Sequence, residues 1–340
     1  MDLFCYSGGF VRGIFSAAAS WKGEKHRMNK GFNRGLTLHM RENSVRYKRK
    51  LYSGLMCLIV YFLLIGIGIV FLYPVLYMIV YSFKSLPDLV NPTIEWIPSR
   101  LYLENYRKAL VVLDYGRSLM VTVIQVSLQT LLQTISCALA GYGLARHNIP
   151  YKKLWLVFVV LAFLIPSQVT LIPKYLMFNN YGLVGSPLSI LLPAAFGQGV
   201  SSSVFVLVFH QFFSGYPLSF DEAARIDGAG SFRVFYKIAL PICIPAVIVS
   251  LLFSFVWFWN ETYLSGLLLG EDFRTLPMKL ESFVYEFNRS FGSVKGSVNK
   301  VNESIRLAAT LLVVSPLLIL YLVLQRQFIE GIESSGITGE

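Results

Sequence analysis

The sequence carries little charge for its length. Asp, Glu, Lys and Arg together make up 14% of its 340 residues, whereas hydrophobic residues make up 55%. In a typical soluble domain roughly a quarter of the residues are charged. The deficit argues against an ordinary soluble protein and indicates that long stretches of the chain contact lipid.

Cysteine is scarce as well. The four cysteines, Cys5, Cys57, Cys137 and Cys243, are far apart, and no pair has the spacing of a metal site or a disulfide framework. The last three lie in apolar runs, so we expect small buried hydrophobic side chains there.

No phosphate loop of the G-x-x-x-x-G-K-[ST] type is present. We therefore expect no cofactor, no metal site and no ATP hydrolysis by this chain. The scattered His, Cys and carboxylate residues also disfavour a membrane-embedded enzyme.

What the sequence does contain is six long apolar runs. A transmembrane helix needs about 20 mostly apolar residues, and intervals without charge locate the candidates. The predicted spans lie near 54–82 and 188–212 and within 117–146, 153–174, 237–261 and 306–326. The sequence thus predicts an all-α membrane protein with six transmembrane helices. We assign 51–328 to the membrane domain, 1–50 to a basic N-terminal arm and 329–340 to a C-terminal tail.

Basic residues indicate how the spans are oriented. Eleven Lys and Arg residues lie in the first fifty, against three acidic residues, and the loop 146–153 has three basic residues and no acid. Such an excess marks cytoplasmic flanks, and alternation through six spans then places both termini in the cytoplasm. The arm fits a disordered or surface-lying segment near anionic lipid better than a signal peptide or a nucleic-acid-binding segment. Met28 and Met40 are alternative starts.

The loop 214–241, between the fourth and fifth spans, has the most sharply specified local chemistry. Ser219 and Glu222 have the spacing of a capping box, in which each side chain accepts from the other residue's backbone N–H. Asp221 and Arg225 stand at i and i+4 with the acid first, the better orientation for a helical ion pair. We therefore expect a helix that Ser219 caps.

Glycine defines the end of this helix. Gly228 and Gly230 supply a helix stop, which leaves about two turns, and isolated helices this short are marginal in water. The small side chains of Ala223 and Ala224 allow the backbone of another molecule to approach closely. A second short amphipathic helix is predicted over 232–239. We expect the first helix to pack against a partner, the alternative being an interfacial helix that only links two spans.

This loop resembles the EAA loop of binding-protein-dependent ABC importer permeases. The resemblance is carried by Glu222-Ala223-Ala224, by Gly228 after three residues, and by Ile238-Ala239-Leu240-Pro241 after nine more. In that family the loop forms a coupling helix that docks into a cleft on a cytoplasmic ATPase. The resemblance implies such an ATPase-coupling role for Glu222, Ala223, Ala224, Arg225, Asp227 and Gly228.

The resemblance covers roughly residues 50–340 and is strongest to the carbohydrate-uptake branch, similar to the second permease of maltose-type systems. Its other supporting segments are Glu104-Asn105-Tyr106, Ala140-Gly141-Tyr142-Gly143-Leu144-Ala145-Arg146, Ile165-Pro166, Trp259-Asn260-Glu261 and Gln325-Arg326-Gln327-Phe328-Ile329-Glu330-Gly331-Ile332. It implies a type I ABC importer permease fold in a bacterial inner membrane. The implied partners are a second permease subunit in a heterodimer, two ATPase subunits, an extracytoplasmic solute-binding protein and a sugar. The long arm and a tail without the Lys-Gly ending of relatives depart from the family pattern.

Polar residues within the spans are candidate substrate contacts. The candidates are Gln125, Gln129, Gln133, Gln198, Ser202 and Asn260. The three in the second span recur every four residues and so share one helical face, which would offer amide donors and acceptors to sugar hydroxyls. The alternative is that they hydrogen-bond one helix to another. No Asp, Lys or Arg lies deep in any span, which argues against the main rival function, an ion-coupled secondary transporter or channel.

Overall fold

A computed structural model describes residues 52–291 and 301–334, with side chains as far as residue 326. Its helices are α1 Tyr52–Ser82, α2 Leu86–Val90, α3 Glu104–Val112, α4 Tyr115–Arg146, α5 Lys152–Leu164, α6 Ser167–Asn180, α7 Leu188–Ala195, α8 Ser202–Gly215, α9 Ser219–Ile226, α10 Ser231–Val234, a π-helix Phe235–Ala239, α11 Leu240–Ile242, α12 Ile244–Asn260, α13 Tyr263–Leu268, a 3-10 turn Glu271–Phe273, α14 Leu276–Glu281, α15 Phe283–Phe291 and α16 Glu303–Ser334. Within the described ranges the only β pairing is an isolated parallel bridge between Gly185 and Leu269. The described residues divide into two compact units, with the boundary between Val75 and Leu76. The predicted arm lies outside the described residues.

The helices are long and apolar enough for a multi-pass membrane protein. α1, α4 and α16 each satisfy the length and hydropathy of a span on their own. Three bent helix pairs satisfy them jointly: α5 with α6 at 96°, α8 with α9 at 75°, and the 231–242 segment with α12 at 80°. The described residues therefore offer up to six spans, in agreement with the all-α, six-span prediction.

Three predicted spans are not continuous helices, and one of them, the fifth, within 237–261, is bent by 80° between α11 and α12. The third, expected within 153–174, is interrupted between α5 and α6 because Pro166 has no backbone N–H and disfavours helical dihedrals at Ile165. The fourth, expected near 188–212, is divided into α7 and α8 by a break over 196–201. Gly197 and Ser201 adopt positive φ there, 66° and 52°, which an α-helix does not allow.

The segments between α1 and α4 and between α12 and α16 are largely helical. Residues 84–117 contain α2 and α3, and residues 261–306 contain α13 to α15. Of these helices, α3, α14 and α15 pack together on the ends of α4 and α16 through a buried cluster that includes Leu113, Phe283 and Phe287. Asn105 closes the end of α1, where its side-chain amide donates to the carbonyls of Ser82 and Lys84, both at 2.9 Å.

In the second unit, the most extensive packing between helices involves α4, which packs against α7, α8 and α12. Gly141 sets its distance from α8: a Cβ at this position would lie 2.6 Å from the Cβ of Phe209 and 2.9 Å from the backbone nitrogen of His210. Cys137 and Cys243 are buried beside this contact, as predicted. The same prediction is wrong for Cys57, which is exposed on α1.

Candidate functional site

The helix of the predicted EAA loop begins one residue earlier than a Ser219 cap requires. The N–H groups of Phe220 and Asp221 already bond to the carbonyls of Pro217 and Leu218, and Leu218 is the N-cap, with helical dihedrals and no side-chain cap bond. The capping box of Ser219 with Glu222 was therefore a wrong prediction. The physical reason is Pro217, whose fixed φ suits the first helical turn and starts the helix upstream of Ser219.

The predicted ion pair between Asp221 and Arg225 is also wrong. The Asp221 carboxylate faces inward, where its Oδ1 accepts a 2.7 Å hydrogen bond from the hydroxyl of Tyr216 and its Oδ2 lies 3.7 Å from Nε of Arg146. Arg225 is exposed. An exposed i,i+4 pair contributes only about 0.3–0.5 kcal/mol, so a buried partner from another helix determines the orientation of Asp221.

Arg146, the last residue of α4, holds this arrangement together. Its guanidinium lies 3.4 Å from the ring centroid of Tyr216 and donates from Nη2 to the Tyr216 carbonyl at 2.5 Å. The side chains of Arg146 and Asp221 are only 2% and 6% exposed. We call Arg146, Tyr216 and Asp221 the Arg146 cluster. Burial and the adjoining Asp221 carboxylate raise the pKa of Tyr216, so its hydroxyl keeps the proton that it donates.

The end of α9 agrees with the prediction. Gly228 has a φ of 77°, and the N–H groups of Gly228 and Ala229 bond back to the carbonyls of Arg225 and Ala224 at 3.0 and 2.9 Å. This is the Schellman arrangement, which favours glycine because only glycine adopts the left-handed conformation without strain. The predicted second helix follows as α10 and the π-helix.

The exposed face of α9 contains most of the residues to which the family resemblance assigns ATPase coupling. Those exposed are Glu222, Ala223, Arg225, Asp227 and Gly228. Ala224, by contrast, is 8% exposed and packs inward. Large apolar side chains flank this face, among them Ile226, which is 86% exposed, and Phe220. A surface of charged residues with uncovered apolar neighbours is typical of a protein interface.

The inner end of α4 also contacts the second half of the loop. Tyr142, one turn before Arg146, packs its ring against Phe213 of α8 at a centroid distance of 5.4 Å and against Phe235 of the π-helix at 5.1 Å. Both halves of the 214–241 loop therefore rest on the same turn of α4. Tyr142 and Arg146 belong to a segment that carries the family resemblance, but nothing in the sequence predicts that they contact the EAA loop.

A second polar group lies near the middle of α4. The amide of Gln133, which is fully buried, donates to the Val200 carbonyl at 3.0 Å and to Ser254 Oγ at 3.1 Å, while its oxygen accepts from Ser202 Oγ at 3.1 Å. We call these four residues the Gln133 network. They join α4, α8 and α12 at the break between α7 and α8. Ser136 supports the same break by donating to the Ala195 carbonyl.

The other candidate pathway residues divide between the interior and the surface. Gln125 is buried and donates to the Phe273 carbonyl at 3.0 Å. Gln129 is buried and has no hydrogen-bond partner in the described part of the chain. Gln198 and Asn260 are exposed, and Asn260 donates to the Val256 carbonyl at 2.8 Å. Ser202 belongs to the Gln133 network, so the six residues do not form one continuous polar surface.

Comparison with known proteins identifies the family. Residues 137–333, which include the Arg146 cluster and the whole EAA loop, match the family described as binding-protein-dependent transport system inner membrane component. The chain belongs to this family. It is therefore a multi-pass membrane component of a transport system, and it works with other components of that system.

Its relatives align over nearly their full length. The chain is 29% identical to the maltodextrin transport system permease protein MalD of Streptococcus pneumoniae, over 87% of this chain and 99% of that protein. It is 26% identical to the probable starch degradation products transport system permease protein AmyC of Thermoanaerobacterium thermosulfurigenes, over 81% and 95%. A solved bacterial ABC transporter involved in alginate import shares the fold, with a TM-score of 0.67 at 21% identity over 79% of this chain and 95% of that chain.

Proposed function

We propose that the chain is a permease subunit of an ATP-binding cassette importer, coupled through α9 to a separate ATPase. One observation carries the proposal: in a chain of this transport family, α9 is a two-turn helix, stopped at Gly228, whose outer face is exposed and whose inner face is held by the Arg146 cluster. A helix this short is only marginally stable alone. Contacts that hold it in a fixed orientation, with one face exposed, are therefore expected at a docking site.

The docking surface that we propose consists of the exposed residues of α9 and its C-terminal turn. Glu222, Ala223, Arg225, Asp227 and Gly228 remain in it, whereas the buried side chain of Ala224 serves the packing of α9 onto its own subunit. Ile226 extends the surface, since an apolar side chain that is 86% exposed gains most from burial in a partner's cleft.

The mechanism that follows is alternating access driven from the cytoplasm. Closure of two partner ATPase subunits displaces the coupling helices, and the spans move between outward- and inward-facing states. A ligand shifts such an equilibrium only through different affinities for the two states, which is the role of an extracytoplasmic solute-binding protein. One coupling helix per chain requires a second permease subunit, most simply a similar but distinct one. Family membership argues against the rival function of an ion-coupled transporter or channel.

The cargo that we propose is a sugar or oligosaccharide. Relatives of the chain are named for maltodextrin, for starch degradation products and for polygalacturonan and rhamnogalacturonan. Of the candidate pathway residues, Gln198 and Asn260 present exposed amide groups suited to sugar hydroxyls. Gln133 is fully occupied inside the subunit, and we assign it to helix contacts rather than to the pathway.

The proposed topology places both termini and the 214–241 loop in the cytoplasm of a bacterial inner membrane. The basic loop 146–153 lies next to the Arg146 cluster, on the same side as the coupling helix, in keeping with the excess of Lys and Arg in cytoplasmic loops. The arm 1–50 would then contact anionic lipid of the same leaflet. The tail 329–340 would follow α16 into the cytoplasm.

A pair of glycine variants tests the coupling role. Gly228→Ala forces a side chain into a φ of 77°, at a cost of about 1–2 kcal/mol, and should lower both sugar uptake and the amount of ATPase that co-purifies. Gly230→Ala is the matched control, because Gly230 has a φ of −70° and no atom within 4 Å of a Cβ. Uptake is measured with radiolabelled maltotriose, an arabino-oligosaccharide and an oligogalacturonide. Full ATPase association with unchanged uptake in Gly228→Ala and Glu222→Ala would reject the proposal.

A further inference from the structure

We propose that Arg146 is a positioning residue that makes α4 and the coupling helix α9 move as one body. The inference rests on the proposed function, since it concerns how movement imposed on α9 by the ATPase reaches the spans. It adds a residue outside the EAA loop, and a specific contact, to the coupling apparatus.

The Arg146 cluster combines several kinds of contact. Arg146 approaches the Asp221 carboxylate, stacks on the Tyr216 ring and donates to the Tyr216 carbonyl. Tyr216 in turn donates to Asp221. Removing one partner of a buried ion pair leaves an uncompensated charge and is strongly unfavourable. The cluster therefore resists a change in the angle between α4 and α9.

Outside the Arg146 cluster, the chain gives α9 little other support. Only residues 216–218 connect α9 to α8, with a bend of 75° between the two helices. On its other side the helix ends at Gly228, in the left-handed conformation. Two turns between a bend and a glycine stop would pivot freely, and Tyr216, which lies in the connection, is the residue that Arg146 holds.

Helix α4 leads from the cluster to the rest of the membrane domain. It packs against α7, α8 and α12, and Gln133 joins it to α8 and α12 about 20 Å from Arg146, at ~1.5 Å per residue. A rigid helix with discrete contacts at both points is a physical route for energetic coupling. Movement of α9 would thus displace α4 and, through it, the break at 196–201.

The test is a spin-label distance within the complete transporter. Labels are placed at Ala140→Cys on α4 and Ser219→Cys on α9, both exposed, after Cys5 and Cys57 are changed to Ala. The permease pair, its ATPases and its binding protein are compared without nucleotide and with ATP and vanadate. With Arg146 present, we expect the same distance distribution in both states.

Substitution of Arg146 should allow α4 and α9 to move independently of each other. In Arg146→Gln we expect the distance distribution to differ between the two nucleotide states. The shift or broadening should be on the order of one helical turn, about 5 Å. The change in distance in Arg146→Lys should lie between those of the unaltered chain and Arg146→Gln, because an ammonium keeps the charge but lacks the planar stacking surface and the forked donors of a guanidinium. Arg117→Gln is the control, since Arg117 forms an exposed ion pair with Asp272 at the other end of α4, and it should behave as the unaltered chain.

Two results would overturn the inference. One is a distance that changes between nucleotide states while Arg146 is present, and the other is an unchanged distance in Arg146→Gln with its ATPase still bound. If Arg146→Gln does not assemble, Arg146→Lys replaces it, since it keeps the positive charge and removes the planar stacking surface and forked donors, and an unchanged distance there likewise overturns the inference. Failure of the proposed function is distinct, since it appears as a chain that does not co-purify with an ATPase.

Discussion

The Arg146 cluster and the Gln133 network are both buried and both attached to α4, yet they differ in charge. The network near the middle of α4 uses only an amide, two hydroxyls and a backbone carbonyl. The cluster at the C-terminal end contains an ion pair. A charge at the centre of a transmembrane helix costs roughly 2.5–3.5 kcal/mol on insertion scales, so the position of each group fits its chemistry.

The comparison also separates what the two groups do. The Gln133 network satisfies a backbone carbonyl freed by the break between α7 and α8, which matters because lipid offers no hydrogen-bond donors. The Arg146 cluster satisfies one backbone carbonyl, that of Tyr216. Its main effect is to fix the orientation of a helix whose outer face is exposed. We interpret the neutral network as holding the subunit together and the charged cluster as transmitting movement.

The largest expected effect comes from a substitution between the two groups. In Gly141→Ala the added Cβ would meet the Cβ of Phe209 and the backbone of His210 at under 3 Å, and backbone cannot yield cheaply. Such overpacking costs about 1–3 kcal/mol. Separation of α4 from α8 should lower the heat-denaturation midpoint of the detergent-purified subunit and the yield of folded protein.

Gly143→Ala is the matched control on the same helix. A Cβ at Gly143 has no atom within 4 Å, and alanine favours a helix over glycine by about 0.8–1.0 kcal/mol. The control should therefore be as stable as the unaltered chain or more so. Equal loss of stability in both variants would show that the close approach of α4 and α8 is not what the glycine provides.

A smaller effect is expected from the Gln133 network itself. Gln133→Leu removes three hydrogen bonds, which average about 0.6 kcal/mol each between membrane helices, or about 2 kcal/mol together. Gln129→Leu, one turn earlier, removes a buried amide without a partner in the described residues and should cost little. The heat-denaturation midpoint of each variant is measured. Equal midpoints for Gln133→Leu and Gln129→Leu would contradict the proposed role of the network in stabilising the subunit.

The smallest expected effect concerns pH. Tyr216 has a raised pKa because of burial and the nearby Asp221 carboxylate, so the unfolded chain loses this proton first, near its ordinary value of about 10. The contribution of the hydroxyl is complete below that pH and is lost as pH rises toward the folded value. Between about pH 8 and about pH 10.5 the unaltered chain should lose more stability than Tyr216→Phe. Parallel losses would argue against the buried contact.

Local chemistry allowed part of this structure to be predicted from the sequence. Charge-free intervals located the spans, and Gly228 ends α9 as expected because the left-handed turn depends on the residue itself. The predicted cap at Ser219 does not form because Pro217 starts the helix earlier. The partner of Asp221 was missed because Arg146 lies in another span, and sequence spacing favours neighbours along one helix.

The breaks in the spans were missed for a related reason. Charge-free intervals report composition, and a broken helix has the same composition as an intact one. Proline 166 could have indicated the bend between α5 and α6. The break at 196–201 depends on carbonyls that Gln133 and Ser136 satisfy from another helix, and that arrangement is visible only after folding.

The most direct test of the account is the number of sugar molecules transported per ATP hydrolysed, measured with purified transporter in liposomes. The sugar is whichever of the three labelled probes is taken up. We predict that Arg146→Gln lowers this ratio by at least about five-fold, the lower range of typical coupling energies, while Gln133→Leu lowers stability and leaves the ratio unchanged. An unchanged ratio in Arg146→Gln, or an equal fall in both variants, would contradict the account.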